Sequence, residues 1–260
     1  MTSEVAVVTS GGAGTGAVRV AASYCGMPPL PGELWLRWNL DPVLLLAIAA
    51  AAVLLWRMTA GDLVARRSAM VGIGALLAAF VSPLCALTNA LFAARTVHHL
   101  LIVLVAAPLI APAFITHRKG AGSPIPALLA ATVTLWFWHW PIAYDAALSR
   151  TTVYWATQAG LLASATWFWR RVLHPAGEPV TALLTILAAM AQMGLLGAIL
   201  TFAPDPLYAA HLVTTAPFGL SPQEDQQLAG LIMWVPAMIP YFLIGALIAR
   251  RAWRRDLSPA

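Results

Sequence analysis

The side chains with the clearest capacity for chemistry are histidines set in apolar surroundings. His98 and His99 stand side by side at the start of the run Thr96-Val-His-His-Leu-Leu-Ile-Val-Leu-Val-Ala-Ala-Pro108, and His139 closes Trp136-Phe-Trp-His-Trp-Pro141. Ionisable or metal-binding groups cost free energy in hydrocarbon, so inside a spanning segment they mark a functional hypothesis by default. Adjacent helix residues differ by about 100° in direction, so His98 and His99 are not expected to ligate one ion from one helix. The face of His99 continues through Val103, Ala106 and Ala107, which suits close helix packing and makes His99 the better inward candidate. His139 lies two residues before Pro141, whose missing N–H leaves the Phe137 carbonyl without its usual helical partner, so a bend is expected there. Two imidazoles with the thioether of Met233 would suit Cu(I), while Asp145 and Asp225 are harder donors.

Other sulfur-bearing stretches carry less. Cys25-Gly-Met27 offers two soft donors but reads as a solvated tail segment, and Met190 and Met193, flanking Gln192, read as helix packing. Cys25 and Cys85 are far apart with no CxxC pair, which indicates neither a disulfide framework nor a zinc site. Gly11-Gly-Ala-Gly-Thr-Gly16 departs from GxGxxG and follows no credible strand, so it reads as flexible chain. No nucleophile stands beside a base on a credible elbow, and no cofactor fingerprint is present, so a non-catalytic role is expected.

The elements that position these residues follow from composition. Of 260 residues, 60 % are hydrophobic and 10 % charged, far from the quarter charged of an ordinary soluble domain. The excess of five positive charges lies in short clusters between apolar runs, which argues against a nucleic-acid surface. The expected fold is an all-α bundle of seven transmembrane helices over about 43–56, 68–87, 96–115, 125–144, 153–169, 180–203 and 228–249. Residues 1–34 are expected as a flexible tail, 35–250 as the membrane domain and 251–260 as a basic tail.

Alternate connections then share a side. Arg57, Arg66, Arg67, Arg118, Lys119, Arg170, Arg171, Arg250, Arg251, Arg254 and Arg255 fall on one, and only Arg19, Arg37, Arg95 and Arg150 on the other. The positive-inside rule thus puts the N-terminus outside and the C-terminus in the cytoplasm. With Arg95, Asp145 and Asp225 taken as outer boundary marks, His99 lies roughly 6 Å deep, His139 roughly 9 Å and Met233 roughly 12 Å, one outer-leaflet layer. Asp205, Tyr208, His211 and Ser221-Pro-Gln-Glu-Asp225-Gln226 would cap it, with Ser221 and Glu224 spaced as a capping box for the last span.

Four segments in order resemble the CtaG-type cytochrome c oxidase assembly factors across nearly the whole chain. They are Ser82-Pro83-Leu84; His99-Leu-Leu with Ala107-Pro108-Leu109; Trp138-His139-Trp-Pro141 with Tyr144-Asp145-Ala-Ala-Leu148; and Asp225-Gln226-Gln-Leu-Ala-Gly230-Leu-Ile-Met233-Trp234. The resemblance implies a multi-pass protein of the bacterial inner membrane that helps mature a haem–copper oxidase. It would handle copper, as Cu(I), for the catalytic subunit at the periplasmic face and take it from periplasmic copper carriers. It points to His99, His139, Asp225, Gln226 and Met233. The chain departs from the family pattern at Arg95, where many members have a histidine, and at Tyr154, Thr157 and Gln158, so His98 or His211 would have to substitute. The rival readings are a haem- or quinone-binding redox protein with His99 and His139 as axial ligands, a copper or metabolite permease, and an oxidase chaperone that binds no metal.

Overall fold

The computed structural model describes residues 23–115 and 122–256, whose regular structure is helical apart from one isolated bridge between Ser23 and Gly26. The Gly11–Gly16 stretch, His117 to Lys119 and the last four residues of the basic tail lie outside the described residues. The helices are α1 (Pro42–Met58), α2 (Leu63–Phe80), α3 (Leu84–Leu87), α4 (Phe92–Leu100), α5 (Ala107–Ile110), α6 (Ile125–His139), α7 (Pro141–Ser149), α8 (Thr151–Val172), α9 (Pro179–Phe202), α10 (Pro222–Trp234) and α11 (Met238–Asp256). A π-helical segment, Leu101–Ala106, joins α4 to α5 without a break.

Starts and stops follow local chemistry. Asp41 accepts a hydrogen bond from the Val43 N–H with Pro42 in the first turn of α1, and Glu178 does the same for Val180 and Thr181 ahead of Pro179 in α9. The capping box expected at Ser221 and Glu224 is formed at the start of α10. The bend expected at His139 is also there. Proline disfavours the α conformation in the residue before it, Trp140 is extended at φ −69° and ψ 128°, and α6 and α7 meet at 75°. The Phe137 carbonyl is not left open, because the Trp140 N–H donates to it at 3.1 Å.

Leu63–Phe80, Phe92–Phe114, Pro179–Phe202 and Pro222–Arg254 are each long and apolar enough to cross a membrane, and the bent pair α6–α7 raises this to as many as five. The expected seven-span count therefore exceeds what length and composition establish. The shortfall lies in α1, which has 17 residues, and in α8, which carries Tyr154, Thr157 and Gln158 on its buried side. Where helices touch most closely, glycine is required. A Cβ on Gly230 of α10 would stand 2.6 Å from the Gly197 carbonyl of α9, and one on Gly72 of α2 would stand 2.7 Å from Ile110.

The π-helical segment has an identifiable cause. The Ala107 N–H reaches back five residues to the Ile102 carbonyl. In that register the next donor would be residue 108, which is proline, so the Val103 carbonyl has no partner within its own helix. The indole N–H of Trp169 on α8 supplies one at 2.8 Å. A second proline, Pro112, withdraws a donor near Leu109, whose carbonyl accepts from the Ser68 hydroxyl of α2 at 2.8 Å.

One expectation is overturned outright. Cys25 and Cys85 form a disulfide across 60 residues, with Cα atoms 5.4 Å apart, so Cys25-Gly-Met27 is no thiol site. Nor is its surrounding stretch a free tail. Ser23 donates to Asn89 at 2.6 Å, Asn89 donates back to the Gly26 carbonyl at 2.8 Å, and Tyr24 donates to Asp41 at 2.6 Å. Spacing alone could not indicate this pairing, since it depends on the chain bringing the turn at 23–26 back against α3.

Candidate functional site

The helix that carries the histidines begins on a borrowed cap. Leu91, which precedes α4, has no side-chain oxygen for the free N–H groups of the first turn. Asp225 of α10 provides both of its carboxylate oxygens instead, accepting from the Phe92 N–H at 2.7 Å and from the Ala93 N–H at 3.0 Å. Gln226 accepts from the Leu207 N–H at 2.7 Å and donates to the Leu200 and Asp205 carbonyls at 3.2 and 3.4 Å, fastening the 203–221 connection to the bundle. Asp225 is fully buried and Arg95 is 2 % exposed, so neither is the interfacial boundary mark that its position before an apolar run suggests. Both are held inside by partners on other helices.

From the junction at Asp225, α4 and α10 pack against each other and run into the bundle. His99 lies seven residues beyond Phe92 and Met233 eight beyond Asp225, or roughly 10 and 12 Å along their axes, so they share a level. Met233 is buried, as are His98, His99 and His139. The ring of His99 faces that of His139 with centroids 6.1 Å apart and planes at 79°. His98 turns the other way and sets its ring edge against Phe80 of α2 at 4.9 Å, while remaining 5.7 Å from His99. The adjacent histidines therefore do point apart, but both point inward.

Their hydrogen bonding separates their roles. The Nδ1–H of His139 donates to the Leu135 carbonyl at 2.7 Å, which leaves the Nε2 lone pair as the free end of the ring. That arrangement, one nitrogen anchored to a carbonyl and the other available, is the usual state of a metal-ligating imidazole. His99 has both ring nitrogens buried and unpaired, and His98 has Nε2 in the same condition. Buried nitrogens are nearly always partnered, so these are positions where a ligand would complete the site. Among the described residues no three His, Cys, Asp or Glu side chains gather as a metal-binding group. The donors present are thus two nitrogens, with sulfur from Met233 at the same level, a soft and open set that fits Cu(I) better than a hard or fully caged ion.

An aromatic plug closes this layer at the end of the bundle formed by 203–221. Phe92 sits at its centre, with ring centroids 4.3 Å from Tyr208, 5.4 Å from Tyr144, 6.1 Å from His211 and 6.4 Å from His139. The Tyr144 hydroxyl is 2.6 Å from His211 Nε2, the Tyr208 hydroxyl donates to the His139 carbonyl at 2.9 Å, and the Thr214 hydroxyl donates to the Ala90 carbonyl at 2.7 Å. Burial, and after it the charge of Arg95, push the His211 imidazole down to about 3, against the opposing hydrogen bond to the Ala90 carbonyl. Neutral His211 thus accepts from Tyr144, and it covers the site without joining His99.

Arg95 lies beneath this plug. Its guanidinium carbon is 5.3 Å from the ring centre of Tyr144 and 5.9 Å from that of Tyr154. Tyr154 in turn stacks on Tyr24 at 5.1 Å, and its hydroxyl is 3.5 Å from Cys25 Sγ. The sequence singled out Tyr154 and Gln158 only as departures from a pattern, and Arg95 as such a departure and as an outer boundary mark. Their common placement is a product of the fold, and no spacing signals it.

Against models of known families, residues 113–255, more than half of the chain, match the one described as cytochrome c oxidase caa3 assembly factor (Caa3_CtaG). The matched stretch contains His139, His211, Asp225, Gln226 and Met233 and begins beyond His99. No curated protein and no solved structure matches the chain.

Proposed function

The chain belongs to the cytochrome c oxidase caa3 assembly factor family, and from that premise we propose that it receives Cu(I) between His99 and His139 and passes it to the catalytic subunit of a haem–copper oxidase. The observation that carries this reading is the contrast between the two rings. His139 has its Nδ1–H anchored on Leu135, and His99, 6.1 Å away, has two buried nitrogens with no partner at all. Copper is cargo here. A carrier must also release it, so two or three soft donors serve better than a closed cage, because an incoming donor on the partner can bind before the last one leaves.

The membrane arrangement that goes with this reading has seven crossings with the histidine layer toward the periplasm. Helix α1, at 17 residues, is within the range that spans hydrocarbon, and the polar residues of α8 face the bundle rather than lipid. The Cys25–Cys85 disulfide adds an independent argument, since such bonds persist in oxidising compartments and this one lies at the plugged end. Metal analysis of protein loaded with Cu(I) tests the proposal. The wild type should retain about one copper per chain, and His99→Ala and His139→Ala should lose it. In a strain lacking the gene, the oxidase should keep its haem and lack copper, and normal copper content there would refute the assignment.

A further inference from the structure

We propose that Arg95 forms the core of a buried site for a small monovalent anion of the halide class, distinct from the copper donors. Arg95 is 2 % exposed, and its guanidinium carbon lies over the rings of Tyr144 and Tyr154. Ring contact leaves the in-plane donors unserved: Nε and Nη2 are buried and bond to nothing. Among the described residues no carboxylate pairs with it. Asp225 has both oxygens on the Phe92 and Ala93 N–H groups, and Asp145, next to Tyr144, keeps Oδ1 buried and unpartnered itself.

A lysine or histidine so placed could shed its proton, but a guanidinium cannot, so its charge persists in a medium that penalises it. Water could meet the N–H groups yet would leave the charge uncompensated, whereas an anion answers both. Two further buried donors without partners lie on the same elements: the Thr96 hydroxyl, 0 % exposed and next to Arg95 on α4, and the Gln158 amide, 3 % exposed and one turn beyond Tyr154 on α8. A bound anion would also neutralise Arg95 beside the His99–His139 pair, so that the incoming Cu(I) meets less repulsion. That last consequence rests on the copper reading, while the anion site does not.

The test uses metal-free, full-length protein in detergent, with gluconate exchanged for chloride at constant ionic strength. Chloride should raise the melting temperature saturably, by a few degrees, in the wild type and not in Arg95→Gln. A flat response in the wild type, or an equal rise in the variant, overturns the proposal. Should Arg95→Gln fail to fold, bromide X-ray absorption on the wild type decides: bromide with protein nitrogen neighbours supports the site, and fully hydrated bromide overturns it. Both readouts are independent of copper, so a failure of the copper reading leaves them unaffected.

Discussion

His99 and His139 are close enough to share a ligand, but they are prepared for it differently. Loss of an outer-shell partner of a metal-bound imidazole costs about 10–100-fold in affinity. On the proposed copper reading, truncating either ring to alanine removes a donor and should therefore cost more, as read by competition with a Cu(I) chelator. Met233→Leu, which keeps the packing of a buried side chain, should weaken binding by less. Asp225 makes a different prediction, because both of its oxygens hold the first N–H groups of α4. Asp225→Ala should destabilise the protein by about 1–3 kcal/mol, and copper affinity should fall only as far as α4 shifts. His211 predicts a pH effect. Its folded-state value of about 3 lies below the ordinary 6.5, so the unfolded or opened state binds more protons between these limits. The stability it contributes is complete above about 6.5 and is lost as the pH falls toward 3. Hydrogen–deuterium exchange in 203–221 should accordingly speed up at pH 5 beyond its intrinsic change, and His211→Gln should abolish that excess.

At the scale of the element, the passage from α4 through the π-helical segment to α5 joins the site to the rest of the bundle. Pro108 leaves the Val103 carbonyl without a helical donor, and Trp169 of α8 supplies one. The two residues should therefore be coupled. Trp169→Phe in the wild type leaves a buried carbonyl unsatisfied and should cost about 1–3 kcal/mol. In a Pro108→Ala background, where residue 108 regains an N–H, the same change should cost less. Equal costs in the two backgrounds, by reversible denaturation in detergent, would dissociate them. Much of this scale was legible beforehand. The Ser221–Glu224 capping box and the bend at His139-Trp140-Pro141 both depend on interactions within a few residues. The start of α4 was not legible, because its cap, Asp225, comes from a helix more than a hundred residues away.

For the molecule as a whole, the Cys25–Cys85 bond closes the turn at 23–26 against α3, beside Tyr154 and hence over Arg95. Closing a loop of 60 residues is worth up to about 4 kcal/mol by chain entropy. Cys25→Ser with Cys85→Ser, or treatment with a dithiol reductant, should lower the melting temperature and increase exchange around Tyr24 and Tyr154. An unchanged melting temperature would mean that the noncovalent contacts of Ser23 and Tyr24 suffice.

By itself the sequence determined the all-helical, membrane-spanning class, the capping box at Ser221 and Glu224, and the bend before Pro141. Hydropathy, proline and side-chain chemistry are properties of short stretches, and these outcomes follow from them directly. Only the tertiary structure decided that His98 and His99 both turn inward, that Asp225 caps α4, that Cys25 meets Cys85, and that Arg95 is enclosed by two tyrosine rings. Each of these rests on which helix lies beside which, and that is fixed by side chains packing across many elements at once. The histidine pair was visible as a pair of residues; that one of them faces His139 with both nitrogens open is a property of the bundle.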